Sequence, residues 1–199
     1  MPPQPDNSAV DLRGREVLIC VCGGIAAYKV AEVASRLVQR GAGVSVAMTR
    51  AARKFVGPVT FEALTGRPVL RSIWPTGGEA DIEHIRRTER ADVIIVAPAT
   101  ANILGKIAGG IADEVVSTLV ISAAGPVLLA PAMNSRMWAS PAVQHNLSVL
   151  KSRGFHVVGP GEGWLACRSV GPGRMAEPEQ ILEVLLPLLT SRSDSLPTP

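Results

Sequence analysis

Aromatic side chains are scarce in this sequence: three Trp, three Phe and one Tyr, 4% of 199 residues. That scarcity leaves no strand able to serve as a base-stacking platform, and basic residues occur singly or in pairs with acids between them, never as a run. Nucleic acid is therefore not an expected partner, although the net charge is +3. A modest positive potential equally suits a small, multiply anionic substrate. No apolar run approaches the ~18 residues of a membrane span. The opening MPPQPDNSAVDLRG has neither the basic start nor the apolar stretch of a secretory signal. No membrane contact is expected, and a cytoplasmic location is. Cysteine is also sparse. Cys20, Cys22 and Cys167 are an odd number, without disulfide or zinc spacing.

What is abundant is Val, Ile, Leu and Ala, within 47% hydrophobic residues against 19% charged. With few aromatics, the core has to come from aliphatic strands covered by helices. Apolar runs with β-branched residues predict strands at Glu16–Cys22, Val44–Met48, Asp92–Val96, Val127–Ala130 and His156–Val158, with a weaker one at Pro68–Ile73. Helical spacing predicts helices over Ile25–Gln39, Pro58–Leu64, Ile82–Arg90, Ala101–Ala108, Asp113–Ala123, Ser140–Arg153 and Glu179–Leu189, and a short helical stretch over Thr49–Phe55. Residues 159–176 hold five glycines and two prolines, too many for a regular element. Residues 1–14 and 191–199 read as flexible tails around one domain, 15–190.

Strands and helices alternate throughout. The fold class is α/β, a three-layer, doubly wound parallel sheet of Rossmann-like type. Ligands in such sheets bind beyond the carboxyl ends of the strands. Four segments then fall at the site: Gly23–Ala26, Thr49–Phe55, Ala97–Asn102 and Ala130–Trp138. CGGIAAYK (Cys22–Lys29) joins the first strand to its helix, and reads either as a tight turn or as a cradle holding one phosphate at a helix N-terminus. It is not G-x-G-x-x-G, so a dinucleotide is disfavoured. Thr100 and Asn102 in APATAN either cap a helix or hydrogen-bond the edge of a flat ring. APAMNSRMW (Ala130–Trp138) reads as an apolar surface with one amide anchor. His84 sits on a short polar helix. Cys167 lies in a glycine-rich loop near Arg168 and Arg174, where a thiol could be activated. Cys20 and Cys22 point to one face of the first strand and are expected to be buried as small apolar residues.

Taken in order, GGIAAYK, APATAN, PAMNSRMW and LACRSVGPGRM resemble the homo-oligomeric flavin-containing cysteine decarboxylases, over about residues 15–188. Pro131, Met133, Asn134, Met137 and Trp138 match the family's P-x-M-N-x-x-M-W element in full. The resemblance implies FMN. Its phosphate is placed near Gly24, Ile25, Ala26 and Thr49, and its ring near Pro98, Thr100, Ala101, Asn102 and Ala130. It implies His84 as catalytic base, Asn134 as holder of the substrate carboxylate, and Cys167 as proton donor on a flap. Met137, Ala166 and Met175 would contact substrate. It implies trimers, or dodecamers of trimers, and 4′-phosphopantothenoylcysteine, a coenzyme A precursor, as substrate. Many relatives carry Ser where this chain has Gly24, which removes one phosphate hydrogen bond that Thr49 and the helix N-terminus can offset. Many bacterial relatives continue into a synthetase domain, so that step is expected of a separate protein.

The chemistry explains why such a family needs these parts. Loss of CO2 from a cysteine leaves a carbanion without an electron sink. Oxidising CH2–SH to a thioaldehyde provides one, and a flavin can take that hydride. A base must remove the thiol proton, and an acid must return a proton when the hydride comes back. Relatives that decarboxylate peptides stop at the enethiol and need no such acid, so the Cys167 loop favours the complete reaction. A non-catalytic phosphatase regulator would carry an acidic tail or lose catalytic residues, and neither is seen here.

Overall fold

The computed structural model describes residues 10–73 and 90–190. His84, most of the expected helix Ile82–Arg90 and the loop 75–80 lie outside the described residues. β1 (Glu16–Val21), β2 (Gly43–Met48), β3 (Val93–Ala99), β4 (Val127–Pro131) and β5 (His156–Val157) form one sheet in the order β2-β1-β3-β4-β5. Every pairing in it is parallel. Each of the first four strands is followed by a crossover, so both faces must be covered, and β3 is buried along its whole length. The order reverses between β1 and β3. A crevice therefore opens at their carboxyl ends, where ligands of doubly wound sheets bind.

Helix α1 (Ala27–Gln39) buries Ala27, Val30, Val33, Ala34 and Leu37 at helical spacing. With α7 (Pro178–Thr190) and α2 (Pro58–Thr65), it covers one face of the sheet. The other face is covered by α3 (Ala101–Ala108), α4 (Val115–Ile121) and α6 (Pro141–Ser152). Cys20 and Cys22 belong to that second core, fully buried as expected. The three layers and the parallel sheet are those the sequence predicts.

Four expectations change. Pro68–Ile73 does not form a strand; only Leu70 bridges Ala47. Pro68 has no N–H to donate, and exposed Arg71 and Ser72 offer no face to bury. Thr49–Phe55 contains one 3₁₀ turn, Ala52–Lys54. Leu12, inside the segment read as a tail, is buried, and its N–H bonds the carbonyl of Arg40 at 2.8 Å. The packed unit thus starts before residue 15. Finally, the Gly/Pro-rich stretch is ordered. It forms an antiparallel hairpin of β6 (Gly161–Trp164) and β7 (Val170–Arg174). Close docking explains why glycine is used there. Gly173 has φ +125°, its carbonyl accepts from the N–H of Met133 at 2.9 Å, and a Cβ on it would stand 2.1 Å from the Met133 carbonyl oxygen. Only glycine allows that approach.

Candidate active site

The crevice at the carboxyl ends of the strands is a cleft of about 1080 Å³. One ligand site commonly occupies about 300–1,000 Å³, so this cleft has room for a cofactor together with a substrate. Its floor is the turn from β1 to α1. A Cβ on Gly23 would stand 2.3 Å from Cβ of Ala51, so the turn and the segment after β2 meet with no room for a side chain. Helix α1 follows with no side-chain cap and no acid in its first turn. The N–H groups of Gly24, Ala27 and Lys29 close turns onto the carbonyls of Cys22, Gly24 and Ala26, which leaves those of Ile25 and Ala26, with the positive dipole end, for an anion. The other helices around the cleft differ. Thr100 caps α3 by accepting from the N–H of Ile103, and Glu114 caps α4 in a reciprocal box with Ser117. Among the described helices that line the cleft, the one without a side-chain cap is the one preceded by the two glycines.

Thr49 stands beside this cradle. Its Oγ1 accepts from the N–H of Ala52 at 3.1 Å, and its hydroxyl proton is still available to a ligand oxygen. Pro98 is buried rather than lining the cleft. It sits where the β3–β4 register shifts, between Val96 and Ala99, because proline cannot donate to the ladder. Its ring flanks Gly24, at 3.4 Å from where a Cβ would stand. Ala130 is buried in the core and does not reach the cleft.

On the opposite side, the chain leaves β4 into α5 (Ser135–Trp138), a single turn that sequence periodicity did not reveal. Asn134 is its cap, and Oδ1 accepts from the N–H of Met137 at 2.9 Å. This fixes the amide. The oxygen is committed to the helix, and the two N–H donors of Nδ2 remain for a ligand. The hairpin closes the same wall, bringing Ala166, Cys167 and Met175 to the cleft. Burial pushes the thiols of Cys20 and Cys22 well above the usual range, so they stay protonated. Cys167 is the exposed thiol of the chain.

Gly24, Ile25, Ala26, Thr49, Thr100, Ala101, Asn102, Asn134, Met137, Ala166, Cys167 and Met175 therefore share one cleft. The cleft also holds charged residues, of which the sequence reading named Arg174 alone, as a neighbour that could activate Cys167; it missed Lys29, Arg50, Lys106 and Glu114. Lys29 stood inside a quoted motif, and Arg50 inside the segment Thr49–Phe55, without an assigned role. Lys106 and Glu114 gave no signal, because only the packing of α3 beside α4 brings them in. Lys29 and Arg174 converge on Glu177 at 2.8 and 2.7 Å, tying the hairpin's base to α1. The Lys29 hydrogen bond holds the Glu177 carboxyl below its ordinary range. This tie is therefore present at neutral pH and is lost as acid protonates Glu177. Among the described residues, no group of three His, Cys, Asp or Glu is placed to hold a metal, and no helix is long and apolar enough to cross a membrane.

Sheet order, an uncapped helix behind two glycines and a fixed amide across the cleft define an α/β protein built for a phosphate-bearing ligand. The chain belongs to the flavoprotein family, whose model matches residues 5–190. It is 49% identical over 173 residues to the coenzyme A biosynthesis bifunctional protein CoaBC of Bacillus subtilis, covering 87% of this chain and 43% of that protein. It is 44% identical over 175 residues to the CoaBC protein of Escherichia coli K12, covering 88% and 43%. The chain thus spans less than half the length of these relatives. Among solved structures it is similar to a PPC decarboxylase cysteine-to-serine mutant complexed with pantothenoylaminoethenethiol, with TM-score 0.77, 29% identity and coverage of 87% and 97%. It is also similar to the FMN-dependent cysteine decarboxylase SpaF, with TM-score 0.71, 34% identity and coverage of 86% and 98%.

Proposed function

We propose that this chain is the FMN-dependent decarboxylase that converts 4′-phosphopantothenoylcysteine to 4′-phosphopantetheine in coenzyme A biosynthesis. The observation that carries this reading is that Asn134 and Cys167 line one cleft, on the wall facing the glycine cradle. The amide oxygen is committed to the helix, which leaves the Nδ2 donors for a carboxylate, and the exposed thiol lines the same cleft, which supports a proton-donor role after CO2 loss. The relatives support it from two sides: CoaBC proteins are named for coenzyme A biosynthesis, and a neighbour covered almost in full is a PPC decarboxylase.

The residues fit FMN. Gly23 and Gly24 let a phosphate approach the backbone, Thr49 offers a hydroxyl, and α1 offers its open N-terminus. Thr100, Ala101 and Asn102 line the wall where the ring edge would lie, and Pro98 and Ala130 support that wall from behind. When bound, the flavin supplies a reversible hydride sink for the cysteine CH2. Asn134 orients the leaving carboxylate, Met137, Ala166 and Met175 enclose the substrate, and Cys167 delivers the proton to the carbon that lost CO2. His84, assigned by resemblance, takes the thiol proton. Lys29 and Arg174 share Glu177 and Lys106 is paired with Asp113, so the cleft keeps a small positive excess, with Arg50 among its cations, that favours a substrate bearing both a carboxylate and a phosphate. The protein is cytoplasmic and assembles as trimers, or dodecamers of trimers. Exposed Ile25, Tyr28 and Met137 at the cleft's rim are apolar surface that a second copy would cover.

The test has two steps. The chromophore released on denaturation should weigh as FMN; FAD, or no flavin after reconstitution, contradicts the reading. A single anaerobic turnover of Cys167→Ser with 4′-phosphopantothenoylcysteine should then release CO2 and stop at a product one H2 lighter than 4′-phosphopantetheine. Loss of a general acid slows the second half by roughly 10²–10⁴-fold. If the unaltered enzyme itself stops at that lighter product, a peptide-modifying decarboxylase is the better assignment.

A further inference from the structure

The tip of the hairpin is a tight turn, closed by Leu165 N–H to the Ser169 carbonyl at 2.8 Å and Arg168 N–H to the Leu165 carbonyl at 2.9 Å. Arg168 takes φ +64° to complete it. Leu165 is buried and pins the turn to the body of the protein, whereas Cys167 is exposed on the cleft side. The turn folds the chain so that Ser169 Oγ stands 3.1 Å from Cys167 Sγ, and either atom can be the donor. Cys167 lines the cleft and Ser169 does not. The hydroxyl thus contacts the sulfur without itself lining the cleft.

We propose that Ser169 is a positioning residue for Cys167: its hydroxyl donates to the sulfur, leaves the S–H directed into the cleft, and stabilises the thiolate formed when that proton is given up. The proposal rests on the reading of Cys167 as proton donor. In the step, the S–H bond breaks, its electron pair stays on sulfur, and the proton forms a C–H bond at the carbon that carried the carboxylate. The neighbouring carbon receives back the hydride that the flavin removed in the first half. An acid is only as good as its conjugate base is stable. A hydroxyl proton turned toward the new thiolate supplies that stability without touching substrate. The charged residues on the same hairpin are Glu162, Arg168 and Arg174, and Arg174 is engaged by Glu177 at 2.7 Å. The hydroxyl is the uncharged group in hydrogen-bond contact with the sulfur.

The test uses the flavin-loaded full chain and a readout that does not need turnover. Cys20 and Cys22 are buried, so iodoacetamide at neutral pH reports on Cys167. Ser169→Ala should slow this alkylation and the formation of fully reduced product, each by roughly three- to tenfold, the range for one lost hydrogen bond. Anaerobic reduction of the flavin by substrate should be unchanged, and Ser169→Thr, which keeps the hydroxyl, should restore both rates. Either rate unchanged in Ser169→Ala overturns the proposal, as does failure of Ser169→Thr to restore them. Native conversion by Cys167→Ser would overturn it by a different route, since the donor assignment beneath it would then be wrong.

Discussion

The two walls of the cleft are built on different principles. The cradle wall stands on β1 and β3, whose inner residues Leu18, Ile19, Cys20, Ile94 and Ile95 are 0–1% exposed. Its geometry is enforced by the packing of the whole domain, and glycine serves there to keep side chains out of a tight junction. The hairpin wall is a two-stranded ladder whose Trp164 and Val170 are 64% and 74% exposed. Isolated hairpins are marginal in water. This one is held by local contacts: Gly173 on Met133, Leu165 at its tip, and the Lys29–Glu177–Arg174 tie at its base. The difference assigns tasks. The wall that cannot move without unfolding suits a resident cofactor, and the wall held by a few separable contacts suits a substrate that must enter and leave.

The comparison breaks most sharply at its glycines. Gly173→Ala drives a Cβ against the Met133 carbonyl oxygen from a backbone conformation that L side chains rarely adopt. The hairpin should lift from α5 while flavin stays bound. A displacement of this kind costs about 10²-fold in turnover even away from the chemistry. Gly23→Ala drives its Cβ against Ala51 at 2.3 Å and should abolish flavin retention instead. The ratio of flavin to protein absorbance after gel filtration, measured with kcat/KM, separates them. Flavin loss in Gly173→Ala to the extent seen in Gly23→Ala would mean the walls are one unit.

The same contrast explains what the sequence made legible. The sheet, its helices and the cradle follow from periodicity, because a strand buried on both faces has to be a continuous aliphatic run, as in VIIV before Ala97. The hairpin could not be read that way. GEGW and VGPGR carry no alternation, since Gly171 and Gly173 are there for the surfaces of Ser135 and Met133 that they approach. Single-turn α5 is too short to show a period, and its cap, Asn134, is the same residue that motif comparison picks out for binding. Thr100 likewise caps α3 and lines the cleft, so a capping role and a ligand role are not exclusive readings. The resemblance supplied the hairpin's role; physical reasoning alone reached only a glycine-rich loop with a thiol.

Asn134→Asp sharpens that double role. Asp caps a helix as well as Asn, so α5 should persist and the melting temperature should move by no more than about 2 °C. The lost donors and the new like charge should raise KM for the carboxylate substrate by roughly 10- to 100-fold, the scale of a hydrogen bond to a charged group. A normal KM would detach Asn134 from carboxylate binding. A large fall in melting temperature would show that the amide has a structural role beyond its cap.

The smallest effect, and the one with the opposite sign, is expected at Gly24. Unlike Gly23, it is not confined: a Cβ there would meet Pro98 Cγ at 3.4 Å and Thr100 Cγ2 at 3.9 Å, which is ordinary contact. Its backbone has none of the positive φ that reserves a position for glycine. Serine is therefore sterically admissible at the mouth of the cradle. Its hydroxyl would add a donor to a phosphate already served by the α1 N-terminus and Thr49, and loss of backbone freedom in the unfolded chain would contribute a few tenths of a kcal/mol more. One added hydrogen bond contributes about 0.5–1.5 kcal/mol, so Gly24→Ser should lower the FMN dissociation constant about two- to tenfold and leave kcat unchanged. Fluorescence titration of the apoprotein with FMN, alongside riboflavin, reads this directly. Tighter FMN with unchanged riboflavin places the phosphate at Gly24. Equal tightening of both would place another part of the flavin there, and weaker binding of both would mean that the cradle wall has no room to spare.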